Sequence, residues 1–359
     1  MQQQYHLHQS WLWLLLLPLL SLSSCSGADT DDAGNLPAAS TMPISFTALS
    51  KWDEAQAKSS TSPHTRLSED ATTKTLSFDK NDAIGVFAYL NSSETPNFMN
   101  NQKVTYDGVN WNYSPVKYWP NNEADKLSFY AYYPQEENPD NNIVIGNESS
   151  GNLILTYNSK KADVDLMVAS NEVLSYSSGN GRVALPFKHL LAKIRFRFRN
   201  DWEVEKNRYR LAINYLHFSC NTNNMLTYDF KSKKAEWSDS NDCSYDPSVI
   251  NIDGYYPYSK NDFADIVAPF YFVPDLIKQG KIELGLDVMQ LNSTTGIWEK
   301  ITAHSTPTYI MQADLQNDIK ISEGASLVCN ISFKPSSGLT ITMITEVDGW
   351  KEIDNDHKI

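Results

Sequence analysis

The sequence contains no Gly-X-Ser-X-Gly nucleophile turn, no phosphate-binding glycine loop and no Cys-X-X-Cys pair. Of its seven histidines, His6 and His8 fall in the N-terminal segment read below as an export signal; the other five, His64, His189, His217, His304 and His357, are scattered, and no two of them stand at metal-ligand spacing. Asp163 and Asp165 share a strand face but read as a solvated strand end. His189, flanked by Phe187 and Leu190, reads as a hydrogen-bonded packing residue. The expectation is a chain without catalytic residues, metal or cofactor.

Cysteine is scarce. Beyond Cys25 there are only Cys220, Cys243 and Cys329. Export would permit a Cys220–Cys243 disulfide, and the sequence leaves that connectivity open. Cys329 shares the apolar parity of Leu327, Ile331 and Phe333, as a buried core thiol does. Basic residues are also few: 30 Lys and Arg face 43 Asp and Glu, for a net charge of −13. That balance argues against nucleic acid or anionic phospholipid as partner. After the N-terminal segment, no apolar run is long enough to span a bilayer.

The first 25 residues are different. Trp11 to Leu20 is apolar but short for a membrane helix, and suits the hydrophobic region of an export signal. Leu22-Ser23-Ser24-Cys25 follows and resembles the bacterial lipobox, in which the cysteine is acylated and becomes the mature N-terminus. Residues 1–10 contain no Lys or Arg, and the alternative is a plain cleaved signal with an incidental cysteine. Residues 26–43 are polar and acidic, without hydrophobic period, as a flexible tether is. Setting these first 25 residues aside leaves 334 of 359, enough for two domains of ordinary size.

Period-two alternation dominates this remainder, and amphipathic helix patterns are rare. In Lys193–Arg199, Ile194, Phe196 and Phe198 alternate with Lys193, Arg195, Arg197 and Arg199. In Lys281–Val288, Ile282, Leu284, Leu286 and Val288 do the same. Further strands are expected at 84–90, 127–133, 153–157, 166–169, 209–218 and 267–273. Within 209–218 the apolar parity slips from Leu211 and Ile213 to Leu216 and Phe218, which a β-bulge near Tyr215 would explain. Asp107-Gly108 between 103–106 and 109–113 signals a hairpin. The pattern predicts an all-β chain of two mostly antiparallel β-sandwich domains, over 44–190 and 191–359. Tyr118, Trp119, Tyr130, Tyr132 and Tyr133 are expected mainly in the core, with stacking on sugars as the alternative. The cationic row from Lys193 to Arg199 is expected to be a solvated face, and otherwise a contact for anionic glycan or a partner subunit.

Several segments, in order, resemble the fimbrillin family, the subunits of type V pili. They are Ile84-Gly85-Val86-Phe87-Ala88-Tyr89, Tyr106-Asp107-Gly108 with Trp111, Tyr118-Trp119-Pro120, and Leu127-Ser128-Phe129-Tyr130-Ala131-Tyr132-Tyr133-Pro134. Phe187 to Ile194 is similar to the segment opening the family's second domain, and Leu339 to Trp350 to its closing strand. The resemblance spans most of residues 44–352.

That resemblance implies two transthyretin-like sandwiches, a lipid anchor at Cys25 in the outer membrane, and surface display. It implies a structural or adhesive role as fimbrial subunit or anchor, with other fimbrillin-type subunits as partners. It further implies donor-strand exchange, in which an arginine-specific protease cuts the loop after the first strand and a neighbour's C-terminal strand refills the groove. Here the first strand would be Ile44–Leu49, the scissile residue Arg66 in the polar stretch 50–74, and the donor residues Leu339, Ile341 and Met343. The alternative is a surface lipoprotein that does not polymerise and binds a host or bacterial glycan or protein.

Overall fold

Alternating apolar residues build most of the described part of the chain from strands. The computed structural model describes residues 42–50, 67–69, 76–135, 143–147, 152–158, 165–179, 181–201, 208–245, 255–256, 262–266, 270–301, 309–314, 318–334, 338–347 and 351–358. Among these, one short helix occurs, α1 (Tyr176–Gly179).

A seven-stranded sheet runs in the order β1 (Ser45–Ser50), β11 (Arg182–His189), β10 (Met167–Leu174), β7 (Leu127–Tyr133), β4 (Ala83–Leu90), β5 (Met99–Tyr106), β6 (Trp111–Asn112). A six-stranded sheet has the order β16 (Ala264–Asp265), β12 (Ala192–Asn200), β22 (Ser326–Lys334), β23 (Gly338–Val347), β24 (Lys351–Lys358), with β17 (Phe270–Phe272) also on β12. The third sheet is centred on β13 (Tyr209–Asp229) and β18 (Asp275–Leu291). Strand β13 also pairs with β9 (Leu153–Asn158), β14 (Lys234–Tyr245) and β15 (Tyr255–Tyr256), and β9 pairs with β8 (Ile143–Asn147). Strand β18 takes β19 (Trp298–Lys300), β20 (Tyr309–Asp314) and β21 (Ile319–Ile321). A small ribbon joins β2 (Leu67–Glu69) to β3 (Leu76–Phe78).

Pairing is antiparallel except at β1–β11 and β12–β22, which are parallel. The seven-stranded sheet comes entirely from residues 45–189 and the six-stranded sheet entirely from 192–358. The third sheet draws on both sides of residue 190, because β9 lies against Met225–Asp229 of β13.

Burial explains the patterns. Strand β4 is an unbroken apolar run because both of its faces are covered. Ile84, Val86 and Ala88 enter one core with Phe129, Val183 and Leu185. Phe87 and Tyr89 enter a second core with Leu155, Leu226, Tyr228 and Phe230. A third core holds Ile194, Phe196 and Phe198 with Leu211, Ile213, Leu216 and Phe218. The slipped parity of β13 is a bulge: its register against β18 shifts between Ile213 and Tyr215. Cys329 sits in the third core, where burial pushes its thiol pKa up. At the hairpin the strands stop at Tyr106 and resume at Trp111. The Asp107 carboxylate accepts from the Val109 and Asn110 amides at 2.8 and 2.7 Å, which lengthens the turn beyond two residues.

Gly85 is opposite Tyr132 in the β4–β7 ladder. The Tyr132 ring lies over Gly85 and donates its hydroxyl to Asn101 Oδ1 at 3.0 Å. A side chain at position 85 would occupy the place of that ring.

Candidate strand-exchange site

The first strand occupies a slot at the edge of the seven-stranded sheet. Its main chain pairs with β11 from Ser45–Arg182 to Ser50–Phe187. Alternation then sends Ile44 and Phe46 inward, where they are 2% and 6% exposed. Ala48 packs half-buried beside them. Phe46 meets the Phe129 ring edge-on at 5.9 Å and the Tyr113 ring at 5.5 Å.

The entry to the slot is bracketed from the other side. Ile44 N–H donates to the Lys117 carbonyl at 2.9 Å, and Trp119 N–H donates to the Met42 carbonyl at 3.1 Å. These bonds flank a bridge between Pro43 and Tyr118. Tyr113 donates its hydroxyl to the Ile44 carbonyl at 2.9 Å. Burial raises the Tyr113 phenol above its ordinary pKa, so it stays a neutral donor. Trp119 seals the floor: its ring is buried, its Nε1 donates to the Gly181 carbonyl at 3.3 Å, and it meets Phe129 edge-on. Tyr113 and the 117–119 bracket were not legible beforehand, although Tyr118-Trp119-Pro120 marked the segment.

Leu339, Ile341 and Met343 lie on β23, where their main chain is opposite Phe333, Ile331 and Cys329 of β22. Strand β24 pairs along the other side of β23. The strand expected to act as donor is thus an interior strand of its own subunit. Cys25 and Arg66 lie outside the described residues.

The remaining singled-out residues are absorbed into the structure. Asp165 is buried, not solvated as expected, because its carboxylate meets His189 Nδ1 at 2.6 Å. Asp163 lies outside the described residues. His217 stacks on Tyr215. Trp119, Tyr132 and Tyr133 are core residues, Tyr130 is half-buried, and Tyr118 is exposed.

The cationic row on β12 is neither a bare solvated face nor an open anion site. Arg195 bonds Asp265 at 2.8 Å, and Arg197 bonds the Phe263 carbonyl at 2.9 Å. Arg199 grips both oxygens of Asp201 and lies 4.4 Å over the Phe263 ring. Lys193 is buried. Among the described residues, no cluster of three or more His, Cys, Asp or Glu is arranged to hold a metal, and no helix is long and apolar enough to cross a membrane.

Comparison with known proteins gives this arrangement its context. A Bacteroides uniformis structure, described as a candidate cell adhesion protein, superposes with a TM-score of 0.50 at 15% identity, over 86% of this chain and 99% of that one. A candidate cell adhesion protein of Bacteroides ovatus superposes with a TM-score of 0.51 at 14% identity, over 89% of this chain and 100% of that one. At such identities the likeness shows the shared fold alone. Fimbrium subunit Fim1C of Phocaeicola vulgatus is 31% identical over 147 residues, or 35% of this chain and 38% of that protein. The chain thus spans well under half the length of that curated relative. The fimbrillin-like family model matches residues 65–350, and the chain belongs to that family.

Proposed function

We propose that this protein is a fimbrial subunit or anchor displayed at the cell surface, without enzymatic activity, and that it assembles with other fimbrillin-type subunits by donor-strand exchange. The observation that carries the reading is the β1 slot. A short edge strand, joined to its neighbour by parallel pairing and to the core by Ile44 and Phe46, is a detachable part of the sheet. Its loss would leave β11 with an unpaired edge beside an apolar trough, the setting in which an added strand gains main-chain hydrogen bonds and burial together. The names of the relatives agree with this role, and the matched family region begins at Thr65, after β1.

In this reading a protease cuts after Arg66, and residues 25–66 depart with β1 and the lipid on Cys25. Leu339, Ile341 and Met343 of a neighbour repeat the period of Ile44, Phe46 and Ala48, and enter the slot. Before it can donate, β23 has to leave β22 and β24, and that ladder restrains uncut subunits from polymerising. Arg-specific proteolysis of the purified full chain is expected to yield oligomers that persist in SDS without boiling. Arg66→Ala, or deletion of residues 339–359, is expected to abolish them. Monomers after clean cleavage at Arg66, or undiminished assembly by the truncated chain, would instead favour a surface protein that binds glycan or host protein without polymerising. The pairing of β23 on both sides is the observation on that side.

The anchor has its own test. Cys25→Ser is expected to move the protein from the membrane pellet to the soluble fraction, since two or three acyl chains supply the membrane binding in this reading. Retention of the variant in the pellet refutes lipidation at Cys25.

A further inference from the structure

Strand β14 turns back along β13 through Phe230–Lys233, and the closed end of this hairpin is well tied. The Asp229 carboxylate accepts from Lys231 N–H at 2.8 Å and from the Ser232 hydroxyl at 2.9 Å. The open end is less well held. Among the described residues, β14 has β13 as its one sheet neighbour. Near that end, β13 is itself changing partners: its register against β18 shifts between Ser219 and Asn221, and from Met225 onward it pairs with β9. At this place the β13–β14 register sets Cys220 opposite Cys243.

Residues directly opposite in an antiparallel ladder share a face and hold their Cα atoms about 4.5–5.5 Å apart. A disulfide accepts Cα separations of roughly 4.4–6.8 Å. Register alone therefore brings this pair within bonding range. Cys220 is buried at the margin of the third core, where a bond would be shielded from soluble reductants. Cys329 is on β22 opposite Met343, and burial raises its thiol pKa, so it is no competitor.

We propose that Cys220 and Cys243 form a disulfide in the exported protein, stapling the open end of the β13–β14 hairpin. The inference rests on the surface location proposed above, because only export brings the chain to an oxidising compartment. The bond forms by exchange with a disulfide-bearing oxidant. One cysteine thiolate attacks that disulfide and releases one thiol, and the second cysteine displaces the other. The pair loses two protons and two electrons, and the oxidant ends as two thiols. The closed loop holds β14 in register at its weakly supported end and fixes β13 where it passes from one core to the next.

Three experiments decide this. In the first, the folded, reduced full chain is equilibrated with oxidised and reduced glutathione, then digested without reductant. A peptide pair linking Cys220 to Cys243 is expected, absent after reduction and absent from Cys220→Ser. Glutathione adducts alone, or linkage through Cys329, overturn the pairing. In the second, cells exporting the chain are quenched with N-ethylmaleimide before lysis, and Cys220 and Cys243 are expected to escape alkylation while Cys329 reacts once unfolded. Linkage in glutathione with both cysteines alkylated from cells would place the fault with export instead of register, and overturn the bond as a cellular feature. Amide exchange across Lys234–Tyr245 is expected to be roughly tenfold faster or more in Cys220→Ser. Unchanged exchange overturns the stapling role.

Discussion

Gly85→Ala is expected to destabilise the protein by about 2–4 kcal/mol, although replacing a strand glycine ordinarily gains roughly 0.5–1 kcal/mol. The sign reverses because of what covers the glycine. An added Cβ would collide with Tyr132 Cε1 and stand 2.6 Å from both Tyr132 Cζ and Asn101 Oδ1. The ring cannot simply swing aside, because it is buried in the second core beside Phe87 and its hydroxyl is committed to Asn101. Overpacking and the loss of that hydrogen bond then act together. Urea midpoints for Gly85→Ala, Tyr132→Ala and the double variant measure the coupling. In the Tyr132→Ala background the alanine is expected to be neutral or stabilising. Equal destabilisation in both backgrounds would mean that the ring is not the obstacle.

Phe46→Ala should cost about 3–4 kcal/mol, the usual range for emptying an aromatic site in a core. The loss should fall on β1 more than on the whole fold. Phe46 supplies the strand's edge-on contacts with Tyr113 and Phe129, while the parallel ladder to β11 holds only one side. Amide exchange is therefore expected to accelerate across Ser45–Ser50 and remain slow in Ala83–Leu90. Thr47→Ala, on the opposite parity, should change little. Uniform acceleration in both segments would show that β1 does not open as a separate unit. If strand exchange operates, Phe46→Ala should also assemble faster after cleavage at Arg66.

Which parts of this were readable in the residues follows from what periodicity can encode. Strands β7 and β4 were readable because dense apolar runs end at clear turn residues, and the bulge in β13 appeared as a slipped parity. Period two says which face is buried, but it does not name the neighbour or its direction. The parallel pairings of β1 with β11 and β12 with β22 therefore came only from the structure. His189 was read as a hydrogen-bonded packing residue and is one, but Asp165 was judged by its adjacent residues, whereas its contact with His189 spans 24 positions. Arg195 was read as part of a solvated face because its partner Asp265 lies on β16, a strand too short to carry a pattern. The β1 slot was half legible: Ile44, Phe46 and Ala48 showed its apolar side, but nothing in those residues pointed to Tyr113 or the Lys117 and Trp119 bracket.

Strand β13 has a mechanical consequence. It is 21 residues long, roughly 70 Å if fully extended, and it contributes Leu211 to Phe218 to one core and Leu226 and Tyr228 to another. The chain crossing near residue 190 adds no slack, since Leu190 and Leu191 are buried. Tension between the two cores would run along β13, crosswise to its ladder hydrogen bonds, and load many of them at once instead of peeling them singly. A surface protein pulled by shear flow would resist extension at this joint as a tie rod does, with stiffness set by one continuous strand.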